Sequence, residues 1–473
     1  MPPPRYYFKF GYLAVLFEIY FIAACFFSIE LPYTTSLRQS FLLRLYCSLI
    51  PLFLTILSRF AEGWSGSTLP AIACSLFIIG GAASSGMTRF VLTILSVLAA
   101  IAHTVTTFTF VIKQPFRPTG RFKVGYRISE NYPDYRYAVY YPTLRQRARN
   151  PTYINDNQGW MRLIRNSQNF KKQPARWRFE STVHFFRKVP IPAGVNSPLV
   201  SLEQLKEYTG RDKFVPVIIC PSAGIGAQGY ASIACQLASQ GHIVFSMEHF
   251  EEVMKMKYHP EIAKASLKTR TTVLKQLIAE MKNPKESLTK LFEGSKLDFN
   301  LESLVVIGHV DGGATVFNLC VEEPSINSCI LLDPMFRTLE EKSFNSKINA
   351  NLFVLESEGW NPQHAKTEIT DKNLKILDNQ KGNKKGALYC KAPKTQNLTF
   401  CDHHLIAGGM LVSNGSITDL DYSEDVYELV VKMVEEYVSV VAMKDQTMSE
   451  ENHQNFLSLF ADDERLVFNY KRA

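Results

Sequence analysis

A metal-binding or disulfide-type cysteine pattern is missing from these 473 residues. The nine cysteines have neither ligand nor framework spacing, and Cys25, Cys47 and Cys74 sit inside apolar runs, as expected of reduced thiols. No metal and no cofactor is assigned. With 46% hydrophobic residues the chain can bury a large core, which excludes disorder, collagen and a small stapled scaffold. A basic stripe on a folded domain is also lacking. The net charge of +8 comes mainly from residues 1–123, with ten basic residues against three acidic, whereas residues 124–473 hold 42 and 41. That distribution argues against nucleic acid and for membrane lipids as the partner.

Four apolar segments fill the first quarter: residues 10–29, 41–57, 69–83 and 90–112. Each is near the ~20 residues that cross a bilayer as a helix. The first is too long for a cleaved signal and has no small-residue cleavage site after it. The third carries Gly80 and Gly81, which leaves a re-entrant segment open. Arg5, Lys9, Arg59, Lys113, Arg117, Arg121 and Lys123 fall on one side of four spans, and only Arg38 and Arg89 on the other. The positive-inside rule then places both termini in the cytosol. Glycosylation-type triplets at Asn397 and Asn414 point the other way and weigh less. Glu18, Arg44 and His103 face other helices or the headgroups. No transporter-like broken-helix symmetry is present, so residues 1–113 read as a transmembrane anchor of an integral, multi-pass membrane protein.

Residues 114–212 read as a juxtamembrane and early domain segment, with a strand from Arg136 to Tyr141 that Pro142 ends. Residues 213–445 alternate short apolar strands with helices. Strands are expected at Val215–Cys220, Ile243–Met247, Leu304–Gly308, Cys329–Asp333, Asn351–Leu355 and Ala387–Cys390. Helices follow the Gly-rich turn at Pro221, run from about Glu261 to Phe292 and from Gly312 to Cys320, and close the series at Asp425–Val441. This pattern means an α/β domain with a mostly parallel sheet covered on both faces. Residues 446–473 read as a C-terminal tail.

The turn Gly308-His309-Val310-Asp311-Gly312-Gly313 has the glycines of a Gly-x-Ser-x-Gly nucleophile elbow, but Val310 stands where the serine belongs. Valine offers no lone pair to a carbonyl. Together with Arg136 to Pro142, Leu237 to Val244, Glu248-His249 and Leu331 to Phe336, the turn resembles platelet-activating-factor acetylhydrolases, phospholipases A2 that cleave short or oxidised sn-2 chains. The resemblance covers residues 124–445 and implies the α/β-hydrolase fold.

Carried over by position, the resemblance implies that Asp333 is the triad acid, that Thr395 replaces the catalytic histidine, and that Val310 replaces the nucleophile. Ser222 to Gly226 then matches the oxyanion loop, with Ala223 in place of a polar residue and the backbone N–H groups of Ile225 and Asp311 as the oxyanion-hole remnant. The Asp311 carboxylate would oppose negative charge there. Asp311 as a displaced nucleophile is set aside for a solvated or helix-capping role, Asp402-His403-His404 for a surface loop, and Ser222 and Cys320 for structural roles. Tyr230, Met247, Met335 and Phe336 either line an acyl pocket or pack the core. The expected protein is thus a catalytically degenerate, phospholipid-binding or scaffolding pseudoenzyme with a cytosolic domain. The competing readings are an active esterase with a non-standard nucleophile and a purely structural interaction protein.

Overall fold

A computed structural model describes residues 117–129, 135–151, 191–223, 225–249, 260–283, 286–359, 366–380, 385–402, 420–442 and 449–470, with helical positions between 73 and 99. The chain divides into two units. One comprises Met1–Gln114, Ser181–Val189 and Leu405–Met410, and the other Pro115–Glu180, Pro190–His404 and Leu411–Ala473.

In the first unit, the expected spans 10–29 and 41–57 lie outside the described residues, and the spans 69–83 and 90–112 do so in part. Among the described residues no helix is long and apolar enough to cross a membrane. The helical positions that are described pair off in opposite directions. The Cys74 thiol donates to the Ser96 carbonyl at 3.2 Å, and a Cβ on Gly80 would lie 3.3 Å from Leu92 Cδ1. Large apolar side chains on this pair point outward, including Leu76, Met87, Phe90, Ile94 and Leu98.

The second unit is built on one ten-stranded sheet, ordered β10-β9-β8-β7-β6-β4-β5-β2-β1-β3. The strands are β1 (Lys123–Ser129), β2 (Tyr135–Thr143), β3 (Gly194–Val195), β4 (Pro216–Cys220), β5 (Ile243–His249), β6 (Val305–His309), β7 (Ser328–Leu332), β8 (Asn351–Gly359), β9 (Ala387–Gln396) and β10 (Val467–Tyr470). From β5 through β4, β6, β7 and β8 to β9 every pairing is parallel. The central strands β4, β6 and β7 are buried along their whole length. That is why they read as unbroken apolar runs rather than alternating ones: helices cover both faces. Antiparallel strands flank this block, β2 and β1 on one side and β10 on the other.

Three sequence expectations shift. Pro142 does not end its strand, which continues to Thr143. The β5 ladder stops at Tyr140, so Pro142 needs no N–H on that side, and on the other it sits opposite Val124 of β1. The long charged helix stops at Lys282, and a second, shorter one runs from Glu286 to Leu291. In the sequence Pro284 falls between the two, a residue with no N–H to donate to a continuing helix. The segment expected as a tail supplies the helix Ser449–Phe460 and the strand β10, which pairs with β9 from Lys391 to Leu388. Phe456 fixes it to the core by packing on Phe353 and Tyr437.

Candidate active site

The elbow forms where β6 ends and the helix Asp311–Glu322 begins. Val310 between them has φ 52° and ψ −113°. A β-branched residue is a genuine outlier there, because its Cβ crowds the backbone. Such a residue stores about 1–3 kcal/mol of strain and persists only where its surroundings over-determine it. Those surroundings are close. The Val310 N–H donates to the Leu332 carbonyl at 3.0 Å, and its own carbonyl accepts from Gly313 and Met335, each at 3.0 Å. A Cβ on Gly308 would lie 2.4 Å from the Gly312 carbonyl oxygen, and one on Gly312 would lie 2.1 Å from that of Cys220. Only glycine fits either place. The sharp turn of a nucleophile elbow is therefore fully formed around a side chain with no nucleophile. Val310 is 5% exposed and packs against Met335.

Asp333, also in the left-handed region at φ 50°, follows β7 and is completely buried. Its N–H donates to the Leu355 carbonyl at 2.7 Å. Its carboxylate accepts from the Ser357 N–H at 3.1 Å and the Ser357 hydroxyl at 2.6 Å. Ser357 on β8 is a partner that sequence reasoning missed, because nothing in an apolar strand marks which polar residue will face a neighbouring carboxylate. Thr395, expected at the position of the base, lies on β9 and is buried, with its hydroxyl donating to the Ala392 carbonyl at 2.7 Å. Its hydroxyl is therefore committed to its own strand end.

The oxyanion side departs from expectation at one donor. The Ile225 N–H closes a turn onto the Ser222 carbonyl at 3.1 Å, so it is not held open for a substrate. Asp311 occupies the first turn of its helix, where a carboxylate is favoured by the dipole. Val310, not Asp311, is the N-cap residue and makes no side-chain cap hydrogen bond, so Asp311 lies one residue inside the cap, where it puts negative charge beside the elbow.

His309, one residue before Val310, is buried and held on both ring nitrogens. Nε2 lies 3.0 Å from the Asn397 carbonyl oxygen and Nδ1 lies 2.7 Å from the Tyr230 hydroxyl. A carbonyl can only accept, so Nε2 carries the hydrogen and Nδ1 accepts from the tyrosine. Burial pushes the Tyr230 phenol well up, so it stays a neutral donor. Neither His309 nitrogen is free to act as a substitute base.

One further expectation changes, and the choice left open for the pocket residues falls to core packing. Asp402 does not lie in a surface loop: it is fully buried, accepts from the Ser232 N–H at 2.9 Å and from the Tyr427 hydroxyl at 2.7 Å, and so caps the helix Ala231–Ser239 from 170 residues away. His403 and His404 lie outside the described residues. The four candidate pocket residues are packed: Met247 and Phe336 belong to the main core, Met335 covers Val310, and Tyr230 binds His309. Ser222 and Cys320 have structural places, Ser222 closing its turn and Cys320 buried in the core.

Residues 273–447 match the family model described as Platelet-activating factor acetylhydrolase, isoform II. The match takes in the elbow, Asp333 and Thr395, and it begins after the Ser222 loop. A platelet-activating factor acetylhydrolase of Cavia porcellus is 31% identical over 37% of this chain and 44% of its own length, so the chain spans less than half of that curated relative. A ferulic acid esterase from Streptomyces cinnamoneus is similar in structure at a TM-score of 0.46 and 14% identity, covering 70% of this chain and 92% of that one.

Proposed function

We propose that this chain, which carries a platelet-activating factor acetylhydrolase, isoform II, domain over residues 273–447, is a membrane-anchored phospholipid-binding or scaffolding protein that has given up ester hydrolysis. The domain's family is one of carboxylic ester hydrolases acting on phospholipids. The observation that carries the reading is Val310: the strained turn is intact, and an apolar side chain packed on Met335 fills the nucleophile's place. Thr395 at the base position supports it, since attack and proton transfer then both lack their group. The outward-facing Leu76, Phe90 and Leu98 on the paired helical segments support a membrane contact, because apolar side chains of that size in water are costly. Under this reading the domain faces the cytosol, as the basic residues flanking the apolar segments require.

The experiment is direct. Full-length protein purified in detergent is assayed for release of a short sn-2 acyl chain and for labelling by an organophosphate serine probe. Extracted lipids are identified in parallel. No turnover above an Asp333→Asn control, with phospholipid recovered in stoichiometric amount, is the expected result. Turnover that Asp333→Asn abolishes would sink the pseudoenzyme reading.

A further inference from the structure

Away from the elbow, a cavity of about 510 Å3 opens at the end of the helix Leu202–Thr209, between Arg121, Arg211, Gln240 and His242. Gly210 takes a left-handed turn at φ 75° to end that helix and sends Arg211 back into the wall. The Arg211 guanidinium is largely buried yet meets no carboxylate among the described residues. Nε donates to the Thr209 hydroxyl at 3.2 Å, Nη2 donates to the Gln240 carbonyl, and Nη1 is buried with no partner. Burial brings its pKa down to about 10, so it still carries its charge at neutral pH. Arg121 spends one N–H on the Tyr208 carbonyl at 2.6 Å and likewise pairs with no acid among the described residues. His242, 97% buried, lines the same cavity. Glu207 is the one acidic residue on the lining.

A largely buried guanidinium charge with no carboxylate partner costs free energy that an anion in the adjoining cavity would offset. We infer that this cavity is a binding site for a phosphate monoester, held by the Arg211 and Arg121 guanidiniums. The forked donors of arginine match paired phosphate oxygens. Two guanidinium charges on one lining match the charge of about −1.5 to −2 on a phosphate monoester better than the single charge of a carboxylate. The site stands whether or not the elbow cleaves esters, because none of its residues belongs to the elbow.

The test uses the full chain in detergent and three probes by calorimetry: inorganic phosphate, soluble glycerol 3-phosphate, and phosphatidic acid dispersed in phosphatidylcholine. Binding of all three with similar affinity supports a free phosphorylated ligand. Binding at least tenfold tighter to phosphatidic acid than to glycerol 3-phosphate supports a lipid headgroup. In either case Arg211→Gln is expected to weaken binding about tenfold or more. Arg121→Gln, at an exposed position where folding is not at stake, is expected to weaken it severalfold. Absence of binding by every probe, or binding that neither substitution changes, overturns the inference.

Discussion

If the elbow is an intact frame around the wrong side chain, replacing side chains alone should restore part of the chemistry. Val310→Ser removes two buried methyl groups, worth about 1.5 kcal/mol at roughly 0.8 kcal/mol each. It also eases the crowding that a β-branched residue suffers at φ 52°. The net effect on stability should stay within about 1 kcal/mol, so the variant should fold. On its own it should hydrolyse nothing measurable, since a serine without a base stays protonated. Thr395→His supplies the base at a cost: the site is buried and the larger ring should overpack it by about 1–3 kcal/mol. The new imidazole must also compete for Asp333, whose carboxylate is engaged by both the N–H and the hydroxyl of Ser357. Failure to orient and stabilise the imidazole costs about 10⁴ in a hydrolytic triad whose members together contribute about 10⁶. The double variant should therefore exceed wild type by about 10²-fold, and adding Ser357→Ala to free the carboxylate should raise it further. The assay is release of acetate from a short sn-2 ester, with probe labelling mapped to residue 310. Equal labelling of the single and double variants, or wild-type turnover as high as the double variant's, would refute the reasoning.

Asp402→Ala leaves the Ser232 N–H and the Tyr427 hydroxyl without their acceptor in the core, so it should cost about 2–4 kcal/mol in urea unfolding, far more than an exposed aspartate. Gly312→Ala puts a methyl 2.1 Å from the Cys220 carbonyl oxygen, and the domain should lose its cooperative transition or several degrees of Tm, whereas Gly294→Ala, with nothing within 4 Å but φ 78°, should cost only about 1 kcal/mol. His242 is buried beside Arg211, and both depress its pKa well below the ordinary value, so the folded state resists a proton that the unfolded chain accepts. Its contribution is present in full above about pH 6.5 and is lost as pH falls below that, and His242→Gln should flatten the stability profile between about pH 6.5 and 5. Protease added to sealed microsomes should digest the region after Lys113 under the proposed cytosolic orientation, and protection or a glycan at Asn397 would reverse it.

The parallel centre of the sheet was readable because it is simple physics: strands covered on both faces must be apolar throughout, and Val305 to Ile307, Cys329 to Leu332 and Leu352 to Leu355 are. The elbow was readable because close backbone approach leaves no choice of residue at Gly308 and Gly312. The rest was hidden wherever a residue answers to something distant in sequence. Asp402 reads as a polar loop residue beside two histidines, yet it caps a helix 170 residues earlier. Strand β10 is four residues long and has no pattern of its own, and its partner is β9. Arg211 looks like an ordinary charged residue after a helix, and only the fold shows that it meets no acid among the described residues.

Val310 ties these strands of argument together. A residue at φ 52° with a branched side chain is the least comfortable choice for that backbone, and glycine would relieve it. Its neighbours impose the conformation, because the Val310 N–H must reach Leu332 and its carbonyl must serve both Gly313 and Met335. Those three bonds join β7, the helix Asp311–Glu322 and the segment after Asp333, so flattening the turn would break the joint between strand and helix at the middle of the sheet. The turn is a structural corner, and the isopropyl group contributes by packing on Met335. On this argument the elbow's geometry belongs to the stability of the fold, so its persistence is no evidence of activity. Val310→Gly then separates the two roles: it should leave the fold intact to within about 2 kcal/mol, since strain relief of about 1–3 kcal/mol offsets most of the lost burial of about 1.5–3 kcal/mol. Loss of folding on that substitution would mean that the side chain, and not the three backbone bonds, holds the corner.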